Sequence, residues 1–135
     1  MTRRPIDARF EEAVLTGRKF TTIRDKAWPV GVPIMLFRWS GKPYRSPQIN
    51  VAEVVVTGFW PMLISRTDNG MMVYAHGMES DVPLWHHEGF PSPEAMSDWF
   101  RPMVKPGEHI ANVMMRFRLM KPMNHRNHAS VRRPA

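Results

Sequence analysis

The chain has 135 residues, of which 43% are hydrophobic; it contains no cysteine and carries a formal net charge of +7. This length suits one domain that buries its core without staples, and the lack of thiols excludes a disulfide framework, a thiolate metal site and a cysteine nucleophile. No apolar run approaches the roughly 20 residues of a membrane helix, and residues 1–5 lack the apolar stretch of a secretory signal, so we expect a cytoplasmic protein without membrane contact.

The first predicted helix spans about residues 5–16. Ile6, Phe10 and Val14 recur at helical spacing, and Gly17 follows as a left-handed stop. Residues 21–24, which include β-branched side chains, predict a short extended segment after this helix.

From Trp28 onward the pattern is typical of strands separated by turns. The apolar run 34–37 and the β-branched stretch 48–59 predict two strands. The turn at 67–70 ends in Asn-Gly, which favours a hairpin whose second strand is 71–75.

The last third of the chain predicts one more helix and one more strand. Ser-Pro-Glu at 92–94 is typical of a helix N-terminus, and Pro102 marks the end of that helix. Residues 110–119 alternate, which predicts a half-buried strand whose outer face carries Met114, Arg116 and Arg118. Two or more short helices among five or six strands, without a βαβ rhythm, predict an α+β fold built on a small β-barrel.

Residues 121–135 show no periodicity, so we expect one domain at 1–120 and a basic, flexible tail at 121–135. The two ends of the chain carry much of the basicity, because residues 5–120 hold 13 basic and 12 acidic side chains. A basic tail suits a phosphate-rich partner such as RNA, and the plainer alternative is a solvated tail that aids solubility.

The segment 17–25 concentrates cations around two hydroxyl groups. Arg18, Lys19 and Arg24 flank Thr21 and Thr22 just past the predicted helix end. An arginine suits a phosphate or a planar base edge, and a lysine in a dry pocket can lose its proton and act as base or nucleophile. The alternative is a helix C-terminus that carries cations for electrostatic reasons alone.

The pattern Gly17-x-Lys19-x-x-x-x-Arg24, placed after the helical residues 9–16, resembles the signature of the ASCH domain family, relatives of the PUA RNA-binding fold. The stretch GRKFTTIRD at 17–25 is similar to the bacterial N4-acetylcytidine amidohydrolases, and Glu-Gly-Phe at 88–90 is a second, looser family-like feature. The resemblance covers most of residues 6–119 and implies a PUA-like β-barrel with a cleft lined by the first motif.

The resemblance also implies roles for single residues. Lys19, Thr22 and Glu88 match the positions to which the amidohydrolases assign catalysis. Many ASCH proteins have a glutamate where this chain has Thr22, so Thr22 favours the amidohydrolase branch. Arg24 matches the motif arginine and is expected to bind substrate. Arg18, from the cation cluster at 17–25, is a further candidate substrate contact. The extra sequence between residues 59 and 85 departs from the compact enzymes and bears on the shape of the cleft mouth, and the basic tail has no counterpart in them.

Amide hydrolysis needs a nucleophile, a proton acceptor, a proton donor for the leaving amine and a group that holds the oxyanion. In one scheme Lys19 takes the proton of Thr22, and Glu88 carries a proton to the amine. In the other, Lys19 stays charged and holds the oxyanion while Glu88 activates water. The sequence leaves both schemes open.

Three histidines near Glu88 raise the possibility of a metal site: His76, His86 and His87. Adjacent residues on a strand point to opposite faces, and no helical ligand spacing such as HExxH is present, so we expect neither a metal nor another cofactor.

The turn 39–45 mixes aromatic rings with cations, and Trp39 and Tyr44 are candidate substrate contacts at the rim of the cleft. The alternative is that such rings fill the core of a small barrel.

These features predict a cleft for a modified nucleoside or RNA, and the sharpest hypothesis is an amidohydrolase that deacylates N4-acetylcytidine-like substrates. The alternative is a non-catalytic RNA- or nucleotide-binding module, or a ribonuclease, that uses the same cleft and the basic tail.

Overall fold

The computed structural model describes residues 1–123 of the chain. Its helices are α1 (Glu11–Leu15), α2 (Leu84–His87) and α3 (Pro93–Phe100), with 3₁₀ turns at Ala8–Phe10 and Arg101–Met103. Its strands are β1 (Thr2–Pro5), β2 (Thr21–Arg24), β3 (Pro33–Trp39), β4 (Gln48–Thr67), β5 (Gly70–Ala75) and β6 (His109–Pro122).

The six strands form one mixed sheet, which confirms the predicted α+β class. Its order is β1-β3-β4-β6-β2, and β5 pairs with the far end of β4. Strand β1 runs parallel to β3, and every other strand pair is antiparallel. Within residues 1–123 no ladder joins β1 to β2, so the sheet is open and a closed barrel is not confirmed.

Strands β4 and β6 are the centre of the sheet and connect its two halves. They pair from Ala52 opposite Pro122 to Ser65 opposite His109, with register shifts at 53/54 and 56/58 that bend the long strand. One apolar cluster packs along the first half of β4, and it includes Val14, Ile34, Val54 and Phe117. A second cluster packs beneath the helices, and it includes Phe10, Ile64, Phe90 and Phe100.

The N-terminal region differs from the prediction of a helix over 5–16. Residues 2–5 form a strand, the chain turns helical only at Ala8, and the α-helix ends at Leu15. The carboxylate of Asp7 accepts from the backbone N–H of Arg9 at 3.0 Å and caps the 3₁₀ turn. Gly17 has a φ of +80°, which confirms the left-handed stop.

Most of the later elements are confirmed. The 67–70 turn joins β4 to β5 through a two-residue loop, because Thr67 pairs with Gly70. Ser92 caps α3, since its hydroxyl accepts from the backbone N–H of Ala95 at 3.1 Å. Arg116 and Arg118 are exposed on β6 as predicted.

Two expectations are wrong. Residues 84–87 form the helical turn α2, whereas the argument about His86 and His87 placed them on a strand. Met114 is fully buried instead of lying on an outer face, because side chains of β5 and α2, among them Val73 and Leu84, cover that side of β6.

Strand β6 continues through Lys121 and Pro122, so the predicted domain boundary at 120/121 falls inside this strand. The rest of the predicted tail, residues 124–135, lies outside the described residues. From residue 1 to residue 123 there is no helix with both the length and the apolar character that a membrane span requires.

Candidate active site

A cavity of about 490 Å³ opens between the end of β1, strand β2, the segment after α2 and helix α3. Its polar lining includes Lys19, Thr22, Arg24 and Glu88. Its apolar lining includes Phe10, Trp39, Phe90, Trp99 and Phe100. The volume lies in the range of small-ligand sites, about 300–1,000 Å³.

Three aromatic side chains form a rigid wall of the cavity. The ring of Phe10 lies edge to face with Phe90 at 5.2 Å and with Trp99 at 5.4 Å, and Phe90 and Trp99 are 6.0 Å apart. Edge-to-face pairs at these distances are mutually stabilising and hold each ring in one orientation. The cavity therefore has a preformed apolar wall whose rings meet at steep angles.

The three residues that the resemblance singles out lie at this cavity and are all buried. Lys19 and Thr22 are each 4% exposed, and Glu88 is 3% exposed. Buried polar side chains are costly unless they are paired, so such a grouping beside a cavity is a candidate site of chemistry.

Lys19 is held by the end of helix α2. Its Nζ donates to the carbonyl oxygens of Thr21 and Glu88, each at 2.7 Å, and lies 3.7 Å from Glu88 Oε1. The carbonyl of Glu88 is free for this contact because the helix stops there, where Gly89 takes a φ of +97°.

The surroundings of Lys19 make its ammonium easier to deprotonate. Burial lowers the pKa of the Lys19 ammonium, the Glu88 carboxylate acts against this shift, and the positive charges of Arg24 and Arg18 add to it. The amine form, unlike the ammonium, can accept a proton.

Thr22 is bound to Arg24 on the same face of β2. Arg24 Nε donates to Thr22 Oγ1 at 3.1 Å, and its Nη2 donates to the carbonyl of Pro5 at 2.9 Å. The guanidinium also lies 4.9 Å from the ring centre of Trp28, so its position is fixed on two sides. A hydroxyl oxygen that accepts from a cation is better able to carry negative charge.

Two residues that the sequence analysis did not assign to catalysis complete the polar group, Thr21 and His87. Thr21 Oγ1 lies 2.7 Å from His87 Nδ1 and donates to Glu88 Oε2 in a short hydrogen bond. Strand alternation explains why Thr21 does not line the cavity beside Thr22, since neighbouring side chains of β2 point to opposite faces. The signal in the sequence is the pair of adjacent threonines, because alternation along a strand assigns their side chains to opposite faces.

His87 is neutral near pH 7. Burial, followed by the positive charges of Lys19 and Arg116 and by His86, lowers its pKa from 6.5 to about 4. Its ring packs on Phe20, with the ring centres 5.1 Å apart.

The remaining candidates from the sequence lie at different distances from the cavity. Trp39 lines it, whereas Tyr44 is 87% exposed and only packs on Trp39, with ring centres 5.0 Å apart. Arg18 donates to the carbonyl of Phe90 at 3.3 Å and so supports the wall from outside the lining.

The histidines are not gathered at one point. His76 is exposed beside Tyr74, and His86 Nδ1 is buried without a hydrogen-bond partner among residues 1–123. In the same residues no group of three or more histidine, aspartate and glutamate side chains is arranged to hold a metal ion.

Comparison with known proteins returns no match: no family model, no curated protein and no solved structure aligns significantly with the chain.

Proposed function

We propose that this protein is an ASCH-type amidohydrolase with a PUA-like fold, and that it removes the acyl group from an N4-acylated cytidine or a similar modified nucleoside. One observation carries the proposal: Lys19, Thr22 and Glu88 are buried together at a single cavity that has aromatic walls.

In the first step Thr22 Oγ1 attacks the acyl carbonyl carbon. Lys19 accepts the hydroxyl proton, Arg24 Nε stabilises the charge on the threonine oxygen at 3.1 Å, and Glu88 gives a proton to the nitrogen as the C–N bond breaks. The products of this step are the free amine and an ester on Thr22.

In the second step water attacks the ester carbon. Glu88 takes one proton of that water, which replaces the proton it gave to the amine. Lys19 returns its proton to the threonine oxygen as the ester bond breaks. The carboxylic acid leaves, and all three side chains regain their starting states.

The walls suit a planar base. Trp39, Phe90 and Trp99 offer ring faces and edges beside the polar group, and stacking on aromatic side chains contributes about 1–3 kcal/mol per base. The amide to be cleaved is attached to the base itself, so stacking of the base on the aromatic side chains also orients the scissile bond.

A second candidate is a non-catalytic module that binds RNA or a nucleotide, and the charge on β6 favours it. Exposed Arg116 and Arg118 line a separate cavity of about 440 Å³, which also reaches Lys19 and Phe20. Contacts of such cations with phosphates weaken steeply as salt rises, whereas hydrolysis of an uncharged nucleoside does not depend on them.

The test is incubation of the full chain with N4-acetylcytidine, with cytidine and acetate measured by chromatography. Wild type, Lys26→Met and Glu12→Gln release both products, because Lys26 and Glu12 are exposed. Lys19→Met, Thr22→Val and Glu88→Gln lose at least about 10²-fold in kcat. Thr22→Ser, which keeps the hydroxyl, stays within about tenfold of wild type.

Two results count against the proposal. Full activity of Thr22→Val overturns the role of the hydroxyl. A folded wild type that releases no cytidine but binds single-stranded RNA with strong salt dependence favours the binding module.

A further inference from the structure

A chain of hydrogen bonds leads from the candidate active site to a different cavity. Glu88 lines the 490 Å³ cavity, and His87 lines a cavity of about 260 Å³ formed by β5, the segment after it and α2. Thr21, which is fully buried, lies between them and contacts both side chains.

The direction of these hydrogen bonds follows from counting protons. The Thr21 hydroxyl has one proton, and this proton goes to Glu88 Oε2 when the carboxylate is ionised. The contact of 2.7 Å between Thr21 Oγ1 and His87 Nδ1 then requires the ring to be the donor. A neutral imidazole has a single N–H, so His87 carries it on Nδ1 and its Nε2 is free to accept a proton.

We propose that His87 and Thr21 form a proton relay that loads Glu88 from the second cavity. This inference rests on the proposed function, in which Glu88 must hold a proton when it meets the leaving amine. The attacking water restores that proton within a turnover, and the relay supplies it to a carboxylate that is ionised when substrate binds. A relay through a separate cavity works while the substrate fills the first one.

The transfer balances at every atom. A proton from water in the second cavity binds His87 Nε2, the Nδ1 proton moves to Thr21 Oγ1, and the hydroxyl proton of Thr21 moves to Glu88 Oε2. The products are a protonated Glu88, a Thr21 hydroxyl that now donates to Nδ1, and His87 as its other neutral tautomer. The reverse sequence discharges Glu88.

The charged groups around His87 keep the relay neutral at rest. Lys19 and Arg116 disfavour a second proton on the ring, and Glu88 contacts it only through Thr21. A doubly protonated, trapped imidazolium is therefore avoided, which a relay requires.

The relay is tested on the full chain with three variants that separate proton transfer from positioning. His87→Asn keeps a side-chain amide N–H near Nδ1 but cannot pass a proton on, Thr21→Val removes the hydroxyl, and Thr21→Ser retains it. We expect kcat for N4-acetylcytidine to fall at least about tenfold in His87→Asn and Thr21→Val, with KM unchanged, while Thr21→Ser and exposed His76→Asn stay near wild type. A purely structural role predicts that His87→Asn remains active, and this result overturns the relay.

Nitrogen NMR of the imidazole gives a readout that needs no substrate. At neutral pH we expect a neutral His87 ring in wild type, as the Nδ1–H tautomer beside an ionised Glu88 and as the Nε2–H tautomer beside a loaded one, and a doubly protonated imidazolium would contradict the relay. Failure of the proposed function is a separate result: the wild type would then be inactive on acylated nucleosides, whichever tautomer His87 adopts.

Discussion

Lys19 contacts Glu88 at two points, by a hydrogen bond of 2.7 Å from Nζ to the backbone carbonyl and by a separation of 3.7 Å from Nζ to the carboxylate Oε1. The two residues are 69 positions apart, so the pair fixes the segment after α1 against the end of α2. Both side chains are 4% exposed. Each charge therefore depends on the other for its stability.

Removal of one member of this pair is expected to destabilise the fold. Lys19→Met or Glu88→Gln lowers the free energy of unfolding by about 3–5 kcal/mol, because the remaining group is left buried without its partner. In the double variant Lys19→Met/Glu88→Gln the loss is smaller than the sum of the two, since no lone charge remains. Urea unfolding at neutral pH measures all three values.

Asp98→Asn is the matched control, because Asp98 forms an exposed ion pair with Arg101 at 3.7 Å. Its effect stays within about 0.5 kcal/mol. Strictly additive losses in the double variant would show that Lys19 and Glu88 do not interact.

His87 is expected to make the free energy of unfolding depend on pH. Its pKa is about 4 in the folded protein against 6.5 ordinarily, so the unfolded chain binds a proton that the folded one does not. The contribution is complete above pH 6.5 and is lost as pH falls toward 4, by about 1–3 kcal/mol. In His87→Asn, whose side chain does not titrate, the urea midpoint changes less between pH 6.5 and pH 4 than in wild type. In His109→Asn, at an exposed position, it changes as in wild type.

Gly89 is expected to tolerate no side chain. A Cβ there would lie 3.0 Å from Lys19 Cδ and 3.1 Å from Phe10 Cδ1, and the residue has a φ of +97°. Gly89→Ala therefore strains the backbone and displaces both the lysine and the aromatic wall, and we expect it to reduce stability and hydrolysis together.

Gly107→Ala separates the two effects. Gly107 has a φ of +79° and no heavy atom within 4 Å of the added Cβ, so it bears the backbone cost of about 1–2 kcal/mol without a clash. Melting curves and hydrolysis rates of the two variants are compared, and equal losses of activity would show that the contact of Gly89 with Lys19 is irrelevant.

Trp39 and Tyr44 are expected to differ although they touch. Trp39 lines the cavity, while Tyr44 packs on the outside of Trp39. Trp39→Ala raises KM about 5- to 30-fold through lost stacking, and Tyr44→Ala changes it by less than about threefold. Steady-state kinetics on one substrate preparation decide this, and a larger effect at Tyr44 would place the base outside the cavity.

The sequence predicted those elements that depend on interactions between residues close together in the chain. The left-handed Gly17, the cap at Ser92 and the turn at 67–70 each act within a few residues, and each occurs where expected. Strand β1 was missed because its partner is β3, more than 30 residues away, and the parallel pairing of Thr2 with Ile34 leaves no trace in the local pattern.

The candidate site was only partly predictable for the same reason. The sequence indicated Lys19, Thr22, Arg24, Glu88 and Trp39, and the fold places all five at one cavity. It did not indicate that the chain from His87 to Glu88 folds back on Thr21, because that contact depends on the helical turn α2 and on the face of β2 that Thr21 occupies. The sequence also indicated Arg18 and Tyr44, which lie beside the lining of this cavity instead of in it: Arg18 binds the carbonyl of Phe90, and Tyr44 packs on Trp39.

The two nearest partners of Lys19 are main-chain oxygens, those of Thr21 and Glu88. A substitution can delete a side chain but leaves every peptide carbonyl in place, so the ammonium keeps these acceptors through changes elsewhere in the cavity. Lining residues such as Met103 and Trp39 supply none of these acceptors. Under the proposed function, this arrangement keeps the anchoring of the lysine apart from the side chains that would select the substrate.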